Sequence, residues 1–142
     1  MRSSEAGPVA SSTPMRIAAA LIADQNGRIL LVRKRHTRCF MQPGGKLEDG
    51  ETPTECLARE LVEELGCTVV QADFLGIFTA PAANEPGRTV EALLFSVRIT
   101  GDVQPTGEIE EVIWVEPSLT NDLTLAPLTS DCVLPLILPN ES

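Results

Sequence analysis

The chain has 142 residues, of which 43% are apolar and 22% charged, and its net charge is −9. That length suits one domain with a real core, and the composition is that of a soluble globular protein with no apolar run long enough to span a membrane. The acidity, with no basic stripe to offset it, excludes a nucleic-acid polymer as the expected partner, whereas a phosphorylated small molecule stays open because a bound cation inverts the local charge.

Residues 1–14 are rich in Ser, Pro, Gly and Ala and have no apolar periodicity. They lack the hydrophobic centre of a signal peptide and read as a disordered leader ahead of one domain over 15–140, in a cytoplasmic protein. Met15 to Ala23 and Arg28 to Arg33 are short apolar runs on either side of Gln25-Asn26-Gly27. That pattern predicts a β-hairpin closed by a two-residue Asn-Gly turn. Arg33, Lys34, Arg35, His36 and Arg38 then form the one concentrated positive patch. It reads either as a solvated strand end or as a rim that steers phosphate, with Arg33 and Arg35 as substrate contacts. His36, the only histidine, is not expected to be a catalytic base.

Phe40 to Lys46 leads into a stretch in which Glu48, Asp49, Glu51, Glu60, Glu63 and Glu64 surround one cation, Arg59. Within it, Thr52 reads as a helix N-cap, Pro53 as the first helical residue and Glu55 as the partner that completes a capping box. Gly66 fits the left-handed residue that ends the helix. Between these signals, Leu57, Ala58, Leu61, Val62 and Leu65 fall on one apolar stripe. Glu60, Glu63 and Glu64 cluster on a neighbouring face, where like charges destabilise an isolated helix and call for something positive. Three carboxylates beside a glycine loop suit a hard cation such as Mg²⁺, which takes oxygen ligands and is shared with substrate phosphates. A solvated acidic face is the competing reading, and the better one for Glu48 and Asp49 taken alone. Gly44 and Gly45 are explained equally by backbone geometry, and Phe40 by a place in the core or by stacking on a base.

Downstream, Thr68 to Val70 and Phe74 to Phe78 read as strand segments, and Pro81 to Gly87 as a loop or lid facing substrate. Thr89 to Ile99 is a long central strand, and Val112 to Val115 another, whose Trp114 is expected in the core. The last stretch reads as a loop and a helix with Pro127 near its start, Thr129 or Ser130 as caps, and Pro135 keeping it short or kinked. Cys39, Cys56, Cys67 and Cys132 form no CxxC pair and are expected as free buried thiols.

Gly45, five residues, Glu51, seven residues, then Arg59-Glu60-Leu61, Glu63-Glu64 and Gly66 resembles the signature of the Nudix hydrolases, with Cys67 standing where an aliphatic residue is usual. The approach Pro43-Gly44-Gly45-Lys46 is similar to that of the family's MutT branch. The resemblance implies an α/β protein with the Nudix fold, an α/β/α sandwich built on a mixed β-sheet. It implies Mg²⁺, with Mn²⁺ as a substitute, held by Glu60, Glu63 and Glu64 with help from the Gly44 carbonyl. A further glutamate before the Trp-bearing strand is also implied, with Glu108 favoured over Glu110 and Glu111. Catalysis would fall to Glu63 and Glu64 as ligands, one glutamate acting as an unassigned base, and to the Arg59–Glu51 pair that orients them. Gly45, Lys46, Arg33, Arg35 and Phe40 would touch the substrate.

The implied activity is Mg²⁺-dependent cleavage of a nucleoside diphosphate linked to another group, first of all a nucleoside triphosphate. ADP-ribose or dinucleotide hydrolysis is the alternative. Ala126-Pro127-Leu128-Thr129 lacks the asparagine of the guanine-reading branch, and the proline of the ADP-ribose branch has a counterpart only in Pro81. A non-catalytic module that senses a nucleotide, and a purely structural metal site, belong to other classes. Monomer and homodimer are both open.

Overall fold

Alternate residues of the first strand face two separate cores, and that alternation organises the molecule. The computed structural model describes residues 13–138, so the expected leader over 1–12 and the last residues of the expected domain lie outside the described residues. The strands are β1 (Met15–Leu21), β2 (Ile29–Lys34), β3 (Phe40–Met41), β4 (Gly44–Lys46), β5 (Thr68–Pro81), β6 (Thr89–Thr100) and β7 (Ile109–Val115). The helices are α1 (Pro53–Leu65), a π-helical turn (Leu128–Val133) and the short α2 (Leu134–Ile137).

A four-stranded mixed sheet runs β4-β1-β6-β5, with β1 parallel to β6 and antiparallel to β4. The remaining strands form an antiparallel sheet in the order β3-β2-β7. On one face, Ala18 and Ala20 of β1 join Leu30, Val32, Leu93 and Phe95 under Leu57, Leu61 and Leu65 of α1. On the other, Ala19 and Leu21 join Leu31 and Leu94 under Leu128, Val133 and Leu134. Strands buried on both faces explain the unbroken apolar runs of β1 and β2. Helical layers on both sides give the α/β/α layering. Among the described residues, no helix is long and apolar enough to cross a membrane.

The expected hairpin is a tight reversal whose strands then part into different sheets. Leu30 N–H donates to the Ile22 carbonyl at 2.9 Å, and Ala23 bridges Ile29, but β1 and β2 pair with other strands from there on. The turn itself is not the two-residue Asn-Gly type, which needs positive φ at both central residues. Gly27 has φ +80°, whereas His36 is the only non-glycine with positive φ among the described residues. Asp24 sets the alternative: its Oδ1 accepts the Asn26 and Arg28 N–H groups at 2.8 and 2.9 Å, and its backbone carbonyl accepts Gly27 N–H at 3.0 Å.

Helix α1 starts and stops where its sequence signals place it. Glu55 N–H donates to Thr52 Oγ1 at 3.2 Å, Thr52 N–H donates to Glu55 Oε1 at 2.9 Å, and Gly66 is left-handed at φ +68°. Its buried face is rolled from the expected stripe, however. Cys56 and Glu64 are buried, while Ala58 is exposed and Val62 is 55% exposed. The roll follows from the glycine loop, which covers the Glu64 side of the helix and supplies a hydrogen bond there.

Four further expectations are corrected. β5 is one 14-residue strand rather than two segments, with register shifts at Val69/Gln71 and at Phe74/Gly76 that bend it without ending it. Trp114 is 36% exposed rather than in the core, because β7 is the edge of its sheet. Neither Thr129 nor Ser130 caps the C-terminal turn, which begins at Pro127 without a side-chain cap. Pro135 sits in the first turn of α2, which spans only four residues. All four cysteines are free, but only Cys56 and Cys67 are buried.

The rolled helix gives a direct check. Leu61→Ala should cost about 2–5 kcal/mol in denaturant unfolding, as a cavity in a packed core does, whereas Val62→Ala should stay within about 0.5 kcal/mol of the parent.

Candidate active site

Helix α1 and the loop before it are clamped by Arg59. Its Nε and Nη2 donate to the two Glu51 carboxylate oxygens at 2.7 and 2.9 Å, in the bidentate geometry that a guanidinium fork and a carboxylate share. Nη2 also donates to the Lys46 carbonyl at 3.1 Å, and Nη1 to Glu60 Oε2 at 2.9 Å. Glu63 and Glu48 lie at 3.7 and 3.8 Å from the same Nη1. These bonds hold the Glu51 carboxyl at about pKa 2, with a contribution from the Glu48 N–H, and push the Arg59 pKa further up.

The glycine loop fits against both the helix and β1 because it has no side chains there. Gly44 has φ +143°, and a Cβ on it would collide with the Ala18 carbonyl oxygen. At Gly45 a Cβ would occupy the space taken by the Glu60 carboxylate. Gly44 N–H donates to Glu64 Oε1 at 3.1 Å. Glu64 is only 7% exposed. Burial pushes its pKa up to about 8, and the charges of Glu60 and Glu108 add to that, while the Gly44 N–H and Lys34 oppose it. The Glu60 carboxyl is raised too, again by burial, against the pull of Arg59.

The polar segment before β7 caps the end of α1. Gln104 and Thr106 N–H groups donate to the carbonyls of Leu65 and Glu64 at 3.0 Å each, and Thr106 Oγ1 donates to the Glu63 carbonyl. Satisfying those end carbonyls sets Glu108 beside the helix, with its carboxylate 3.9 Å from Lys34 Nζ. Glu110 and Glu111 instead pair with Arg35 and Arg33, at 3.4 and 3.1 Å.

These elements wall a cavity of about 730 Å³. Gly44, Gly45, Lys46, Glu60, Glu63, Glu64 and Glu108 line it, joined by Lys34, and Pro81 to Glu85 form one rim. Glu85 reaches Lys46 Nζ at 3.6 Å. Three of the expected substrate contacts are elsewhere. Arg33 donates to Glu111 and to the Thr37 carbonyl, Arg35 donates to the Gly107 carbonyl, and Phe40 is buried in the core opposite α1. Arg33 and Arg35 of the positive patch are drawn away by Glu111 and Glu110 of β7, which sequence spacing does not reveal. Lys34, part of the expected phosphate-steering rim, lines the cavity, and so do Gln42 and Thr129, to which the sequence reading assigned no place in the site. Gln42 had a signal, since it directly precedes Pro43-Gly44-Gly45.

Residues 13–135 match the NUDIX domain family. The chain belongs to the NUDIX family. It is 43% identical to an 8-oxo-dGTP diphosphatase of Proteus vulgaris over 65 residues, which are 43% of this chain and 58% of that protein. It is 32% identical to a MutT-like protein of Streptomyces ambofaciens over 111 residues, or 76% of this chain and 69% of that one. Its fold matches a NUDIX hydrolase from Nitrosomonas europaea with a TM-score of 0.70 at 26% identity, covering 85% of this chain and 86% of that one.

Nudix hydrolases generally use divalent metals. The donors here fit such an ion in kind: hard carboxylate oxygens on one helix face, one of them buried with a single N–H as its partner, and glycines that leave Glu60 its space. Among the described residues, no three Asp, Glu, His or Cys side chains already stand together in ligating geometry. Arg59 draws the Glu60 carboxylate toward the loop, and Gly44 holds that of Glu64.

Two outcomes follow from this geometry. Glu51 is held below its ordinary pKa of 4.5 in the folded protein, so it stabilises the fold above pH 4.5 and loses that contribution as the pH falls toward 2. Glu51→Gln should therefore lower Tm at pH 7 and flatten the acid limb of a Tm-against-pH curve in that window. Gly44→Ala should lower Tm sharply because backbone lies where the Cβ must go. Gly50→Ala meets nothing within 4 Å and bears only the strain of its positive φ, so its loss should be smaller.

Proposed function

We propose that this chain is a Mg²⁺-dependent pyrophosphohydrolase that cleaves phosphoric anhydride bonds in a small nucleotide of the nucleoside triphosphate type. The observation that carries this reading is the convergence of Glu60, Glu63 and Glu64 with Gly44, Gly45 and Lys46 on one cavity of nucleotide size. The likeness to a protein named 8-oxo-dGTP diphosphatase supports the substrate class.

Glu60, Glu63 and Glu64 would hold the cation, with Glu108 as a further carboxylate on the same cavity. When bound, Mg²⁺ supplies neutralisation of the phosphoryl oxygens and a more acidic water. Arg59 fixes Glu60 and, through Glu51, the angle between loop and helix. It acts as an orienting cation, since a guanidinium does not give up its proton. Lys46 and Lys34 bring positive charge to the cavity wall, where it favours an incoming polyphosphate. At Gly44 and Gly45 the backbone can approach a diphosphate closely, without side chains between.

A phosphate-release assay with Mg²⁺ tests the proposal, coupled to pyrophosphatase for the nucleoside triphosphates and to a phosphomonoesterase for the other substrates, whose products are phosphate monoesters rather than pyrophosphate. The panel is unmodified and 8-oxidised nucleoside triphosphates, ADP-ribose, NADH, nucleotide sugars and dinucleoside polyphosphates. Release is expected from nucleoside triphosphates, and Glu64→Gln should lower kcat about a thousandfold, as the loss of several kcal/mol of charge stabilisation requires, with the circular dichroism spectrum retained. Near-normal turnover of Glu64→Gln at saturating Mg²⁺ would refute the ligand assignment. Release from ADP-ribose alone would move the substrate class.

A further inference from the structure

Across the sheets from α1, the cavity wall carries a polar pair with no part in holding a cation. Gln42 is 6% exposed, Thr129 is fully buried, and both line the cavity. Gln42 Nε2 donates to the Ala20 carbonyl at 2.9 Å, and Thr129 Oγ1 donates to Gln42 Oε1 at 3.0 Å. Chemistry fixes this arrangement. A carbonyl only accepts, so the amide nitrogen must face Ala20 and the amide oxygen must face Thr129, whose hydroxyl is then committed as a donor. The side chain cannot flip without setting two acceptors against each other.

Each group keeps capacity to spare. Gln42 retains one N–H and one oxygen lone pair, and Thr129 retains lone pairs. Burying an amide costs free energy unless its groups are bonded, and an aliphatic side chain would join β1 to the C-terminal turn without that cost. Thr129 also sits in the π-helical turn Leu128–Val133, a wider turn than an α-helix makes and one that recurs at functional sites. The same cavity has aliphatic lining from Met15, Ile17, Val90 and Leu128, and none of its lining residues is aromatic.

A cavity with an aliphatic wall and one fixed donor–acceptor group suits a nucleobase. Its faces are poorly hydrated, and its edge presents donor beside acceptor, the pattern to which a side-chain amide is complementary. A sugar, with hydroxyls around its whole rim, would leave them unpaired against the aliphatic wall. We propose that Gln42, held in one orientation by Thr129 and the Ala20 carbonyl, reads the edge of the substrate's nucleobase, with Thr129 as its positioning residue. The assignment rests on the nucleotide-hydrolase reading above.

The decisive probe is the side-chain amide resonance of Gln42 in ¹⁵N-labelled protein, titrated with AMP, GMP, CMP and UMP and, separately, with inorganic pyrophosphate. The resonance should shift with the monophosphates of one base class and stay in place with pyrophosphate. In turnover, Gln42→Leu and Thr129→Val should each shrink the ratio of kcat/KM between the best and worst bases by about tenfold or more, the range expected when a buried polar partner is lost. Thr129→Ser, which keeps the hydroxyl, should preserve the ratio. An amide resonance unmoved by all four monophosphates overturns the assignment. So does an equal loss on every base accompanied by a lower Tm, which marks a structural staple. If the protein hydrolyses no nucleotide, the functional reading fails, and the titration still decides whether Gln42 meets a base.

Discussion

The site depends on one guanidinium. Arg59 bonds the loop through Glu51 and the Lys46 carbonyl, and bonds its own helix through Glu60. Without that charge, Glu60, Glu63 and Glu64 would repel one another along a single helix face. With it, the loop and helix become one rigid unit, and Glu51 helps close that unit by accepting the Glu48 N–H at 2.9 Å. The planar fork matters as much as the charge, because a lysine could not hold both oxygens of Glu51 at once.

From that clamp the rest of the site follows by contact. The loop lies against β1 as the strand β4, and this is possible only because Gly44 and Gly45 present no side chains to Ala18 and Glu60. Covering the helix in this way buries Glu64 and rolls α1, so that Val62 faces out and a carboxylate faces in. A buried carboxylate with one N–H for company is costly in the absence of a cation, which is why burial raises its pKa so far. The segment before β7 then caps the helix end and brings Glu108 to the same cavity.

The cavity takes its walls from both sides of the sheets. Carboxylates arrive from α1, while Leu128 and Thr129 arrive from the turn packed on the opposite face, and the glycine loop lies between them. An elongated ligand with an anionic part and a flat apolar part matches such a wall, which is the shape of a nucleotide.

Local chemistry was legible in the sequence. The capping box at Thr52 and Glu55, the terminator Gly66, the strand β6 and the spacing from Gly45 to Gly66 are all decided by neighbours a few residues apart, so the pattern alone determined them and with them the family and the layered fold. Which residues share a cavity is decided by partners distant in the chain. Arg33 and Arg35 looked available until β7 brought Glu111 and Glu110 beside them. The apolar run from Met15 and the run from Arg28 looked like paired strands, but each found a better partner elsewhere and the reversal split into two sheets. Glu64 and Val62 exchange places on the helix because a loop packs on one side and not on the other. Gln42 and Thr129 meet only because the C-terminal turn packs on the core face opposite α1. The sequence by itself determined the carboxylate-bearing helix with its caps, the strand β6 and the residues of the clamp; tertiary structure decided the extent of the other strands, burial, pairing and the floor of the cavity, because those depend on long-range packing that no local spacing encodes.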